Sequence, residues 1–297
     1  MIDRHKTDVS IIGLGNWGTS LAAALARAGI PPREIIVRLR KRSQPSAVTW
    51  KEATLNARIL WLCVPDSAIP EAAARIIRRR ADLRGQIVVH SSGALTVDAL
   101  EPARRAGASV ASVHPAMTFP TRRAVRLEGV LFGVEAPDLP ARRVLSTLVR
   151  KIGGKPFNIT SKNKALYHAA GTLASPLLVA ELTAAIEAAR LAGLDPRNSV
   201  RWVESLAAAT FRNLFTHGPT HSFSGPFARG DAGTIQLHLQ ALQTHPILAD
   251  LYYSLAVYTL DSLPVQNRRK LEQVLRTSMT QESKRRGGKQ RRPTVRD

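Results

Sequence analysis

Cysteine is nearly absent from this chain, with Cys63 the single one in 297 residues. An intrachain disulfide is therefore excluded, and no cysteine cluster can hold a metal. The eight histidines are scattered, so no metal-ligand spacing is present and none is expected to bind. Acid is also scarce: 22 Asp and Glu face 43 Lys and Arg, for a net charge of +21. Such a surface attracts phosphates, nucleic acid or anionic lipid. No helix-turn-helix, zinc or RNA-platform signature accompanies it, so the charge reads as a solvated arginine-rich surface. Nucleic acid is not expected as a partner beyond nonspecific contact by the tail. There Lys284, Arg285, Arg286, Lys289, Arg291, Arg292 and Arg296 outnumber Glu282 and Asp297. No uninterrupted apolar run approaches the roughly 20 residues a membrane helix needs. Residues 1–8 are polar and lack the apolar stretch of an export signal. The expectation is no membrane association and a reduced, cytoplasmic setting.

What is present is enough apolar residue, 44%, to bury two ordinary cores. Short apolar runs at Val9 to Ile12, Glu34 to Leu39, Ile59 to Val64, Gln86 to Val89 and Ala108 to Val113 read as strands. They alternate with helical stretches, which implies a parallel sheet covered on both faces. Val130 to Glu135 and Lys155 to Ile159 extend the β pattern. Beyond Thr160 the strand signals stop. Lys162 to Leu194 is a long apolar-periodic stretch that Pro176 should kink or divide, and Asp195-Pro196 opens another helix. The fold class is α/β, a doubly wound domain over 1–160, followed by an all-helical domain over 161–276 and a basic, disordered tail over 277–297.

Gly13-Leu14-Gly15-Asn16-Trp17-Gly18 follows a strand and opens a helix. In that context the glycines give a tight turn, close approach of backbone to a pyrophosphate and close helix–strand packing. The helix N-terminus then offers unpaired N–H groups to the phosphates. An Asp or Glu about 20 residues on would bind the ribose 2′-OH. Here the second strand ends in Arg38-Leu39-Arg40-Lys41-Arg42-Ser43, with no acid. A 2′-phosphate suits Arg38, Arg40, Arg42 and Ser43, so the expected cofactor is NADP(H). Val64-Pro65-Asp66 should lie at the carboxyl edge of the sheet, Asp66 either capping a helix or touching the cofactor. Cys63 reads as core packing.

The order and spacing of the glycine loop, Val64-Pro65-Asp66, His90-Ser91-Ser92-Gly93, His114-Pro115, Lys164-x-x-Tyr167-His168-Ala169-Ala170 and Gly225 to Asp231 carry a resemblance. The chain resembles Rossmann-like proteins with a C-terminal helical domain of unknown function. They belong to the wider superfamily of pyrroline-5-carboxylate reductase, ketopantoate reductase and the 3-hydroxyacid dehydrogenases. The resemblance implies an NADP-dependent oxidoreductase acting on CH-OH or CH-NH groups of a small keto or imino acid. It implies Lys164 as proton donor and oxyanion stabiliser, with His168 its orienting partner, and a homodimer formed through the helical domain. Independently, Lys164 and His168 are four apart on a helix and so share a face. Ser91, Ser92 and Gly93 are candidates to anchor a substrate carboxylate or phosphate. His114 faces the nicotinamide or is structural, and Arg229 is placed to pair with a substrate carboxylate. One departure stands out: family members carry Asn near the position of Pro176. That leaves an alternative reading, an NADP-binding sensor or scaffold without turnover.

Overall fold

The computed structural model describes residues 8–39 and 46–289. Eight strands form one sheet: β1 (Val9–Ile12), β2 (Glu34–Val37), β3 (Val48–Thr49), β4 (Ile59–Leu62), β5 (Ile87–His90), β6 (Ser109–Pro115), β7 (Leu131–Glu135) and β8 (Lys155–Asn158). Their order is β3-β2-β1-β4-β5-β6-β7-β8. Every neighbouring pair is parallel except β6 and β7, where His114 lies opposite Gly133 in an antiparallel register. The parallel sheet expected from the sequence is thus found, with this one antiparallel pair as an exception. Residues 116–130 contain no helix, and a parallel return needs a crossover element. With none available, the chain doubles back. Between β7 and β8 the helix α4 (Leu139–Lys151) supplies the crossover, and the pairing is parallel again.

The apolar runs are nearly continuous because both faces of the sheet are covered. Val9, Ile11, Ile59, Trp61, Val89 and Val113 pack on one face with Leu21 and Leu25 of α1 (Asn16–Arg27) and Leu145 and Leu148 of α4. Ile12, Leu60, Leu62, Val88 and Val110 point to the other face. There they meet Ile69, Ala73 and Ile76 of α2 (Ile69–Arg79), and Ala103 of α3 (Glu101–Arg105). Alternation with period two within each strand thus sorts one apolar run into two cores.

The chain divides into two compact units, Met1–Ser175 and Pro176–Asp297. The boundary falls inside a continuous helix, Ser161–Leu191. Its first part, α5 (Ser161–Thr172), belongs with the sheet rather than with the helical domain to which residues 161–175 were expected to belong. Leu173–Leu177 is a π-helical turn holding Pro176, and α6 (Leu178–Leu191) follows. Proline lacks an N–H and its ring crowds the carbonyl four residues back. The wider turn accommodates both, so Pro176 interrupts the helix without ending it. By length and composition Ser161–Leu191 suffices to cross a membrane, with a mean hydropathy of 1.5 in a window that is not buried. Lys162, Lys164, Glu181 and Glu187 break the run, yet residues 165–180 between them carry no Asp, Glu, Lys or Arg.

The second unit is helical. Asp195 caps α7 (Pro196–Ser222) by accepting from the Arg197 and Asn198 amides, as its sequence context required. After α8 (Pro226–Arg229), Asp231 caps α9 (Ala232–Leu242) through the Thr234 amide and hydroxyl. Ile235 and Leu239 of α9, Ala256 and Leu260 of α10 (Pro246–Ser262), and Leu271 and Leu275 of α11 (Arg268–Lys289) form its core. The helix α11 carries on to Lys289, into the segment 277–297 expected to be disordered. Residues 290–297 lie outside the described residues.

Candidate active site

Parallel strands deliver their carboxyl ends to one edge of the sheet. The first element at that edge is the glycine loop after β1. Gly13 has φ +100°, and a Cβ there would lie 2.5 Å from the Cys63 carbonyl oxygen. A Cβ on Gly18 would overlap the Gly13 carbonyl oxygen, so helix and loop are packed as tightly as glycine allows. Gly15 differs: a Cβ there would meet nothing within 4 Å. It opens α1 as the N-cap, and no side chain caps the first amides of the helix. That is a cradle of the shape and polarity a pyrophosphate takes. The polar groups of Asn16 and Trp17 are taken by protein partners. Asn16 Nδ2 donates to the Phe119 carbonyl at 2.7 Å, and Trp17 Nε1 donates to Ser91 Oγ at 2.8 Å.

At the end of β2 no acid stands where a ribose would be read. Glu34 is at the start of that strand, and its carboxylate accepts from the Thr54 amide and hydroxyl and from the Leu55 amide. Arg38 is exposed just past β2. Arg40, Arg42 and Ser43 lie outside the described residues.

The loops after β4 and β5 are tied together. Val64 and Pro65 follow β4, and Asp66 does not cap a helix by its side chain. Instead its Oδ2 accepts from Ser92 Oγ at 2.6 Å, while Ser92 Oγ accepts from the Leu95 amide at 2.9 Å. Ser91 Oγ accepts from both Trp17 and Trp61 Nε1, each at 2.8 Å. Both serines therefore shape the edge, and the free donor left on Ser91 is its own hydroxyl proton. His90 is buried; the Ser92 amide donates to its Nδ1 at 3.1 Å, so its proton sits on Nε2, facing the Thr96 carbonyl. Burial and the charge of Lys164 hold His90 down at about 4. Cys63, just past β4, packs against the core, and burial pushes its thiol up.

Lys164 and His168 both reach this edge from α5, but they do not bond each other. Lys164 is 1% exposed, and its Nζ donates to Glu135 Oε2 at 2.8 Å. The second oxygen of Glu135 accepts from Ser161 Oγ at 2.6 Å and from the Val97 amide at 3.2 Å. Burial alone would push Glu135 up; the hydrogen bonds from Lys164 and Ser161, with the charge of Lys164, hold it below its ordinary value. His168 packs instead beside Gly93, where a Cβ would overlap its ring, and its centroid lies 5.8 Å from that of His114. His114 is the last residue but one of β6, with Nδ1 2.8 Å from the Tyr167 hydroxyl. Burial, then the charges of His168 and Lys164, bring His114 down to about 4. Arg229 is exposed at the end of α8, in the second unit.

Two residues of this cluster carried no role in the sequence. Glu135 ends an apolar strand, and its one local signal is being an acid in that place. Tyr167 lies within a recognised motif, yet nothing in sequence places it against His114, 53 residues away.

Comparison with known proteins agrees with this geometry. Residues 1–115 match the model of a Rossmann-like domain, and residues 130–259 match a domain of unknown function, DUF2520. No curated protein matches the chain. Among solved structures, a protein of Bacteroides fragilis described as a candidate NADP oxidoreductase is similar at 22% identity, covering 85% of this chain and 97% of its own, with a TM-score of 0.70. A reductive aminase of Aspergillus terreus, in complex with NADPH and ethyl-5-oxohexanoate, is similar at 15% identity over 90% of this chain and 98% of its own, TM-score 0.60. Pyrroline carboxylate reductase of Plasmodium falciparum, with NADP bound, is similar at 14% identity over 92% of this chain and 97% of its own, TM-score 0.57. The chain shares its overall fold with these three structures.

Proposed function

We propose that this chain, a Rossmann-like domain joined to a DUF2520 domain, is an NADP(H)-dependent oxidoreductase that reduces a small keto or imino acid. The observation that carries the reading is the single sheet edge. It holds the open cradle at Gly15, the Val64-Pro65-Asp66 and Ser91-Ser92-Gly93 loops, and the His114, Tyr167 and His168 cluster. Brought to one edge, these parts would hold a dinucleotide along the strand ends and offer protons at its far side. The amides of Asn16 and Trp17 would take the pyrophosphate, and Arg38, Arg40 and Arg42 the 2′-phosphate. Ser91 and Gly93 would face the substrate. Lys164, paired with Glu135, contributes positive charge and fixes α5.

Fluorescence titration with NADPH and NADH tests this directly. Saturable binding with preference for NADPH is expected; absence of binding to either overturns the reading. The Arg38→Ala, Arg40→Ala double variant should weaken NADPH roughly ten- to hundredfold, the loss of one charged hydrogen bond at about 1.5–3 kcal/mol. NADH binding should stay nearly unchanged, and an equal loss for both cofactors would place the arginines elsewhere.

A second reading, an NADP-binding sensor without turnover, draws on two features. By the resemblance, Pro176 lies near a position where Asn is expected, and Lys164 is engaged by Glu135. Tight NADPH binding with no oxidation across a panel of 2-oxo acids and cyclic imines would decide for it.

As a partner we propose a second copy of the chain, bound through the helical unit. Apolar side chains stand exposed along α6 and α7, including Val179, Leu191, Leu206 and Phe215, the last at 83%. Trp202 is 53% exposed on α7. Large apolar side chains left exposed in this number on one unit are what an interface between copies would cover. Trp202→Glu is expected to convert a dimer to a monomer in light scattering. A wild-type protein that is monomeric and floats with lipid vesicles would instead assign the face to a membrane.

A further inference from the structure

Beyond the assignment of Lys164 and His168, the structure brings a third side chain of α5 to the sheet edge. The Tyr167 ring lies edge-on to His114, with centroids 5.5 Å apart at 86°, and to Phe157, at 5.7 Å and 68°. The sheet is hollowed to receive it. A Cβ on Gly133 would fall 3.2 Å from the Tyr167 hydroxyl and 3.3 Å from Cζ. Gly133 is the register partner of His114 across β6 and β7. The same strand pair thus supplies the space for the phenol and the imidazole that holds it. Gly93, in the loop after β5, is the matching gap on the other side, where a Cβ would fall 2.8 Å from His114 Nε2. His114 and Tyr167 therefore form a packed, hydrogen-bonded pair at the carboxyl edge of the sheet, and the phenol is half-buried rather than sealed. Lys164, one turn earlier, is 1% exposed and already donates to Glu135.

We propose that the Tyr167 hydroxyl, oriented by His114 Nδ1, is the proton donor to the oxygen or nitrogen of the reduced substrate, with His114 as its positioning residue. This rests on the reductase reading above. The reduced nicotinamide supplies a hydride to the carbonyl or imine carbon. As the C=O or C=N bond opens, the Tyr167 O–H bond breaks and a new O–H or N–H bond forms on the product. The phenolate left behind regains a proton from water, so one hydride and one proton are consumed per product. The charged and titratable groups around the pair are His168 and Lys164 on α5 and Asp66 after β4, with Glu135 on β7 against Lys164. Burial raises the Tyr167 phenol above its ordinary value of 10.0, so it stays protonated through neutral pH.

The first test uses the cofactor-free, full-length protein with histidine rings labelled with nitrogen-15. Tyr167→Phe is expected to shift the His114 ring resonances and leave those of His238, which bonds Tyr252 in the second unit, in place. Unmoved His114 resonances overturn the pairing. The second test is turnover. Tyr167→Phe should lower kcat by roughly 10²–10⁴-fold, the usual worth of a positioned acid, with NADPH affinity unchanged. His114→Ala should lower kcat roughly ten- to hundredfold, and His114→Asn should recover part of it. The wild-type rate should hold level through neutral pH and fall only near pH 10 or above, where a phenol ionises. A fall centred near pH 6.5 would identify a histidine as the acid and overturn the proposal. Turnover by Tyr167→Phe within about threefold of wild type would do the same. So would bound NADPH that wild-type protein never oxidises. Failure of wild-type protein to bind NADPH at all would instead remove the reductase reading, while the nitrogen resonances still report on the pair.

Discussion

Glu135→Ala is expected to destabilise the first unit by about 3–5 kcal/mol, the cost of leaving one charge of a buried pair without its partner. Lys164 and Glu135 are almost wholly enclosed, and the carboxylate holds α5 at two points, Lys164 and Ser161, while also accepting from the Val97 amide of the segment after β5. Removing it leaves a buried ammonium, 1% exposed, without its hydrogen-bonded carboxylate. Urea unfolding at neutral pH measures the loss, and a difference below about 0.5 kcal/mol, typical of surface sites, would show that the pair does not anchor the helix. The double variant Glu135→Leu, Lys164→Met should recover most of the loss, because an apolar pair avoids the desolvation cost altogether. The pH dependence follows from the carboxyl being held below its ordinary value of 4.5. The unfolded state binds its proton first as pH falls, so the stabilisation is complete above about 4.5 and is lost below it, through the folded value. The gap between wild type and Glu135→Ala should therefore narrow as unfolding is measured at progressively lower pH.

The same residues show how far the sequence can be read. The parallel strands were legible because a strand buried on both faces is apolar at every position, as in Ile59–Leu62. The glycine loop was legible because its spacing, preceding strand and following helix all point to one geometry. Val48–Thr49, two residues long, is too short to show any period. The reversal of β7 had a signal, the absence of a helix across 116–130, but strand direction is a property of the connection and not of the strand. Glu135 and Lys164 are 29 residues apart and meet only because α5 packs across the sheet edge. Helical spacing put Lys164 and His168 on one face; it could not say that a carboxylate from another strand would take the first of them. Ser91 and Ser92 were legible as hydroxyls at a strand end. Their partners, two indoles and Asp66, come from other loops.

Gly15→Ala and Gly18→Ala should separate the ligand's space from the protein's own. At Gly18 a Cβ would overlap the carbonyl oxygen of Gly13, a backbone atom that cannot rotate away. That substitution is expected to destabilise by about 1–3 kcal/mol, as overpacking does. At Gly15 the backbone is already in a conformation open to any L-residue, φ −80° and ψ −162°, and no atom lies within 4 Å of the added methyl. Its thermal and urea unfolding should stay within about 0.5 kcal/mol of wild type. NADPH binding should nonetheless fall by roughly a hundredfold or more, because the methyl stands where backbone must approach the pyrophosphate. Undiminished NADPH affinity in Gly15→Ala would mean that the cradle is not where the cofactor lies. A stable protein that has lost only its cofactor would show that the space at Gly15 is kept empty for a ligand. Packing cannot account for a loss of binding at a glycine whose added Cβ would meet no protein atom within 4 Å.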